Sequence, residues 1–125
     1  SSSMEPVLLP GDMIIVKSVD PEEVGKGHII VFDTPGQEES PYVHRVIKWV
    51  DAGEPMWNLG PPAPYSGLIT KGDNNKYFDQ ASAASIGPVK KEWIKGKPLF
   101  ILRGPLKPLI DRYGKIRRNK RDPDV

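Results

Sequence analysis

The chain has 125 residues, a net charge of +2, 14 prolines, 12 glycines and no cysteine. That length fits one domain able to bury a core unaided, and the lack of thiols excludes both a disulfide framework and a thiolate zinc site. Proline and glycine together exceed a fifth of the residues, a density that breaks helices and favours a turn-rich β protein over a helical bundle.

Residues 1–11 read as an irregular, proline-punctuated opening. Met13–Lys17 is short and β-branched, which predicts a strand. Pro21 to Lys26 is polar and turn-like, with room for one helical turn. His28–Phe32 predicts a second strand, closed by Asp-Thr-Pro-Gly, and residues 37–40 an exposed acidic loop. Tyr42–Val50 is the longest strand candidate. Alternation places Tyr42, His44, Val46, Lys48 and Val50 on one face and Val43, Arg45, Ile47 and Trp49 on the other. Neither set is cleanly polar, so both faces are expected to be partly covered.

Asp51 to Tyr65 is dense in proline and glycine, with Met56–Leu59 predicted as a short strand. Leu68–Lys71 predicts a brief strand running into Gly72-Asp73-Asn74-Asn75, a strong turn signal. Tyr77 to Gly87 is irregular, and Pro98–Arg103 is the last predicted strand. Apolar residues at 106, 109, 110, 113 and 116 fall on one helix face, which predicts a short amphipathic helix before a basic tail. Residues 1–105 are thus expected to form the domain proper and 106–125 an amphipathic segment and tail.

Residues 103–125 carry 8 basic and 3 acidic groups, against 10 basic and 13 acidic in the remainder. The globular part therefore has no nucleic-acid signature; the tail reads as a solvated terminus or, more sharply, as a segment drawn to anionic lipid headgroups. No apolar run approaches the roughly 20 residues that span a bilayer. The chain starts at Ser1 without an initiator methionine, so it is expected to be a piece of a longer protein.

Several residue groups bear chemistry. A serine nucleophile needs a base within about 3 Å, oxyanion donors and exposure; a turn beginning at Ser3 would suit, although a serine cluster before a proline is ordinarily a polar loop. His28 and His44 are the two imidazoles, and histidine titrates near 6.5, so the proton-accepting form dominates at neutral pH. No His-x-x-x-His or Glu-x-x-His spacing supports a metal site. Asp73 and Asp79 flank a stretch that superficially resembles a calcium loop. It fails at the sixth position, Phe78, and the twelfth, Ala84. The plain reading of Asp73 is a turn carboxylate; the functional one is that either aspartate steadies an imidazole. Gly11-Asp12 reads as a turn.

In order along the chain, Ser1-Ser2-Ser3-Met4-Glu5-Pro6 with Pro10-Gly11-Asp12, then Val43-His44-Arg45-Val46-Ile47, then Thr70-Lys71-Gly72-Asp73-Asn74-Asn75 with Asp79, resemble the three catalytic boxes of type I signal peptidases. His44 stands where the bacterial-type enzymes carry lysine, so the resemblance is to the histidine branch, archaeal and endoplasmic-reticulum-like, which a few bacterial members share. A lysine would need its pKa lowered by about 3 units to act as base near neutrality, whereas an imidazole needs only a partner that fixes its tautomer.

The resemblance implies a mostly β fold of small coiled antiparallel sheets or a barrel, of the signal peptidase and repressor-autoprotease type. It implies a membrane-anchored serine endopeptidase on the extracytoplasmic or lumenal side, cutting signal peptides from preproteins after small residues, with no cofactor or metal. Its N-terminal transmembrane anchor would precede Ser1. Ser3 matches the nucleophile, His44 the general base, Asp79 the third catalytic acid and Asp73 a supporting carboxylate. Which aspartate orients the ring stays open. Ser1 and the Ser3 N–H match the oxyanion hole, and Met4, Val7 and Leu8 are candidate walls for Ala-like side chains. His28 is expected to be dispensable. Two alternatives are a repressor-type self-cleaving protease, which requires lysine at position 44, and a non-enzymatic β domain binding a membrane or partner through its tail.

Overall fold

The computed structural model describes residues 3–5, 13–36, 41–82, 86–102 and 117–118. The β-branched and aromatic runs form six strands: β1 (Met13–Lys17), β2 (Ile29–Phe32), β3 (Tyr42–Val50), β4 (Gly67–Lys71), β5 (Ile94–Leu102) and β6 (Arg117–Arg118). Every pairing is antiparallel and the order is β4-β3-β2-β5-β1-β6. Among the described residues the only helical pieces are two 3-10 turns, Pro21–Glu23 and Lys91–Trp93. The first is built as its sequence dictates: Pro21 opens it and the Asp20 carboxylate accepts the Glu22 N–H at 3.0 Å.

β5 is the long organising strand. Its first residues pair with β2 (Val31 opposite Gly96, Phe32 opposite Ile94) and its later ones with β1 (Lys17 opposite Lys97 through Met13 opposite Leu102). Gly96 is obligatory there, because a Cβ would lie 2.2 Å from the Lys17 carbonyl oxygen. The β1–β5 register shifts between Ile15 and Val16, which face Phe100 and Pro98. The bulge accommodates a proline that has no N–H for the ladder and leaves Leu99 exposed.

Both faces of the sheet are covered, as the mixed patterns of β2 and β3 require. Ile30, Phe32, Tyr42, Val46, Leu68, Ile86 and Val89 form one cluster. Met4, Ile14, Val31 and Val43 form a second. A third, Val50, Met56, Ala63 and Ile69, lies under residues 51–65.

Four expectations need correction. The β3–β4 register shifts between Val46 and Lys48, so Ile47 is an extra residue that turns the strand over. Lys48 and Val50 therefore leave the face of Tyr42, His44 and Val46, and Val50 joins the third cluster instead. Met56–Leu59 is not a strand but the tip of a tight loop: Gly60 N–H bonds the Trp57 carbonyl at 2.8 Å, and Leu59 takes a left-handed φ of 62°. The last long strand begins at Ile94, four residues before Pro98, because Ile94 and Gly96 are needed to pair with β2. Arg117–Arg118, read as the start of a free tail, pairs with Met13 and Ile14 as β6. The helix expected over 106–116 lies outside the described residues, as do residues 37–40 and Gly11-Asp12.

Candidate active site

His44 sits near the start of β3 opposite Ile30, beyond the end of β4, whose last pair with β3 is Arg45 with Lys71. The chain leaving β4 turns at Gly72–Asn75, with Asn75 N–H bonding the Gly72 carbonyl at 2.9 Å. The space beside the imidazole is filled by the turn at residues 3–5. Two backbone-directed contacts hold that turn: Asn74 N–H donates to the Ser3 carbonyl at 2.6 Å, and Asp73 N–H to the Met4 sulfur at 3.1 Å. Gly72 permits the approach, since a Cβ would lie 2.8 Å from the Ser3 carbonyl oxygen and 2.7 Å from Asn75 Nδ2.

The result is a linear polar chain. Ser3 Oγ lies 3.0 Å from His44 Nε2, and His44 Nδ1 lies 2.7 Å from Asp79 Oδ2. All three residues are buried, at 3 %, 0 % and 2 % exposure. The sequence reading asks for an exposed serine, whereas Ser3 is buried. The edge of the imidazole packs on the Tyr42 ring, 5.6 Å between centroids at 87°, which adds to the restraint on its orientation.

Behind Asp79 the chain continues. The same Oδ2 accepts from the Thr70 hydroxyl at 2.7 Å, and Asp79 N–H bonds the Thr70 carbonyl at 2.9 Å. The Gln80 amide bridges Thr70 N–H, Thr70 Oγ1 and the Gly87 carbonyl at 3.1, 3.3 and 3.3 Å.

Asp73 points elsewhere. Its two carboxylate oxygens take the Arg45 Nε and Nη2 protons at 2.8 and 2.7 Å, and Arg45 Nη1 also reaches the Gly27 carbonyl at 2.8 Å. The guanidinium's hydrogen bonds hold the Asp73 carboxyl below its usual range against a smaller opposing effect of burial, and the same bonds raise Arg45. His28 also lies apart from the ring: its Nδ1 accepts Gly25 N–H at 3.1 Å, closing a local turn.

The structure thus brings Ser3, His44 and Asp79 together and sets Asp73 beside them through Arg45. Met4 is 2 % exposed and packed with Ile14, Val31 and Val43. Ser1, Val7 and Leu8 lie outside the described residues. Sequence reasoning passed over Thr70 and Gln80. Thr70 opens the third box and Gln80 directly follows Asp79, but neither titrates, so neither drew a chemical reading.

An imidazole whose Nδ1–H is held by a carboxylate presents a bare Nε2 to the serine hydroxyl. This connectivity can withdraw a proton from an attacking serine. The order of contacts is that of a Ser–His–Asp arrangement, set here on an antiparallel sheet.

Comparison with known proteins narrows the class. Residues 1–49 match the family model described as signal peptidase, peptidase S26. The chain is 34% identical over 80 residues to the "Signal peptidase complex catalytic subunit SEC11" of Pyricularia oryzae, covering 63% of this chain and 40% of that protein. It is 36% identical over 76 residues to the protein of the same description from Sclerotinia sclerotiorum, 60% of this chain and 38% of that protein. With the human "Signal peptidase complex catalytic subunit SEC11C" it shares 34% over 82 residues, 64% of this chain and 36% of that protein. The chain spans about two fifths of the length of these curated relatives. No solved structure gives a significant match. The chain is thus similar over its first 49 residues to the S26 signal peptidase family and, over about two thirds of its length, to these catalytic subunits.

Proposed function

We propose that this chain is the catalytic part of a serine endopeptidase that removes signal peptides from exported preproteins after small, Ala-x-Ala-like residues. The observation that carries the reading is the chain of contacts from Ser3 Oγ to His44 Nε2 at 3.0 Å and from His44 Nδ1 to Asp79 at 2.7 Å. Ser3 Oγ attacks the scissile carbonyl carbon as its proton passes to Nε2. The tetrahedral intermediate collapses, the C–N bond breaks, and Nε2 gives the proton to the departing amine. Water then attacks the acyl ester while Nε2 takes its proton. Release of the acid returns that proton to Ser3. Asp79 remains an acceptor throughout, fixing the tautomer and stabilising the imidazolium. The Ser3 N–H and the Ser1 hydroxyl are assigned to the oxyanion.

Asp73 acts through position: with Arg45 it holds the turn whose N–H groups reach the Ser3 carbonyl and the Met4 sulfur. The site works at a membrane surface on the extracytoplasmic or lumenal side, in a protein anchored by a segment preceding this one. Among the described residues no helix is long and apolar enough to cross a membrane. The relatives are named as catalytic subunits of a signal peptidase complex, and on that likeness this chain works beside partner subunits. A repressor-type self-cleaving site would need lysine at position 44.

The test is cleavage of a synthetic preprotein peptide by the anchored protein. Ser3→Ala and His44→Ala are each expected to lower kcat by several orders of magnitude, with no further loss in the double variant, because the pair acts as a unit. Normal cleavage by Ser3→Ala would refute the mechanism.

A further inference from the structure

We infer that Thr70 and Gln80 are positioning residues that fix the direction of every proton in the chain from Asp79 to Ser3. The inference rests on the proposed function for its kinetic consequence, but its geometry stands apart from it.

Gln80 is buried and its amide orientation is forced at two ends. Thr70 N–H can only donate, so the atom 3.1 Å from it must be the amide oxygen. The Gly87 carbonyl can only accept, so the atom 3.3 Å from it must be the amide nitrogen. That same nitrogen lies 3.3 Å from Thr70 Oγ1. Thr70 Oγ1 therefore receives a proton from Gln80, and its own single proton is directed to Asp79 Oδ2 at 2.7 Å. The carboxylate oxygen has one more neighbour, His44 Nδ1. A carboxylate oxygen accepts and has no proton to give, so it is matched by Nδ1–H, which leaves Nε2 without a proton and facing Ser3 Oγ.

Two backbone groups, Thr70 N–H and Gly87 C=O, thus aim a hydroxyl donor, through two buried side chains, at the carboxylate that faces His44 Nδ1. The network is buried throughout, so its members polarise one another and a missing donor is costly. Thr70 also tethers Asp79 by the backbone bond between Asp79 N–H and the Thr70 carbonyl. The hydroxyl is consequently delivered to the carboxylate by the residue that anchors its main chain.

The test uses the full chain with a preprotein peptide and compares Thr70→Val, Thr70→Ser and Gln80→Glu. Valine keeps the shape of threonine and removes the donor. It is expected to lower kcat roughly tenfold, the scale of losing a hydrogen bond to a charged group, with KM little changed. Serine restores the hydroxyl and should recover most of that loss. Gln80→Glu keeps an acceptor for Thr70 N–H but has no donor for Thr70 Oγ1, so it draws the hydroxyl proton away from Asp79. It should resemble Thr70→Val.

Proton NMR supplies a readout that needs no turnover. The downfield His44 Nδ1–H resonance should move or broaden in Thr70→Val and Gln80→Glu and return in Thr70→Ser. If the wild-type chain cleaves no peptide, the proposed function falls, while this resonance still decides the network. The inference is overturned if folded Thr70→Val keeps the resonance unmoved and kcat within about twofold of wild type. It is also overturned if Thr70→Ser fails to recover what valine loses.

Discussion

At the scale of single residues, the two imidazoles differ in what their Nδ1 atoms do. In His28 that nitrogen accepts a backbone N–H from Gly25, and the residue closes a turn. In His44 it faces the Asp79 carboxylate, leaving Nε2 for Ser3. His28→Asn is therefore expected to keep kcat/KM within about twofold of wild type and to cost stability by about 1 kcal/mol, the worth of one ordinary hydrogen bond. A urea titration beside a peptide-cleavage assay checks both. Asp79→Asn makes the opposite case. An amide can offer its NH2 to Nδ1, which places the imidazole proton on Nε2, where it faces Ser3 and cannot take another. A loss in kcat on the order of a thousandfold or more is expected with the fold retained. Steady-state kinetics together with a thermal melt distinguish this from unfolding.

At the scale of elements, Met13–Lys17 and Tyr42–Val50 carry enough β-branched and aromatic residues for both ends to be read from sequence. What sequence conceals is where a strand gains a residue. Ile47 looks like any other member of an alternating run, and only the pairing of Val46 with Thr70 and Lys48 with Ile69 exposes the bulge. The same holds at Leu99, where a proline one residue earlier hinted at the irregularity. The candidate site was legible in sequence only through the ordered resemblance of three short boxes to a known family, since serine, histidine and aspartate taken singly each kept a plain reading. The division of labour between Asp73 and Asp79 was not, since it depends on which side of the turn each carboxylate emerges. Gly72 is the element-level key to that turn. In Gly72→Ala the added methyl meets the Ser3 carbonyl oxygen at 2.8 Å and Ser3 Cβ at 3.0 Å, one of them backbone and neither the end of a flexible chain. The serine turn must shift, so kcat/KM should fall at least about tenfold, since misplacing a nucleophile by a fraction of an ångström is enough. The melting temperature should fall only modestly. An unchanged kcat/KM would mean that the turn at 72–75 does not position Ser3.

At the scale of the molecule, one ion pair joins three distant stretches of chain. Arg45 on β3 holds Asp73 from the turn after β4 and, with its remaining nitrogen, the Gly27 carbonyl before β2. Arg45 and Asp73 are both partly exposed, so the pair's worth lies in its three-way geometry and is moderated by solvent. The Asp73 carboxyl is held below its ordinary 3.8, first by the Arg45 hydrogen bonds, with burial opposing and the remaining charges adding to the effect. A carboxyl that gives up its proton more readily folded than unfolded stabilises the fold fully above 3.8, and that contribution drains away as pH falls through the lower folded value. Wild type should therefore exceed Asp73→Asn in urea midpoint at pH 7, and the gap should narrow as pH drops below 3.8. Arg45 stays charged throughout, so the loss on the acid side belongs to Asp73 alone. The acid transition should also release the 72–75 turn from the serine turn, because Asn74 N–H holds the Ser3 carbonyl and Asp73 N–H the Met4 sulfur. Hydrogen exchange at these two amides should accelerate in Asp73→Asn at pH 7, ahead of global unfolding. A constant gap in midpoint from pH 7 downward would show that the ion pair contributes nothing that titrates.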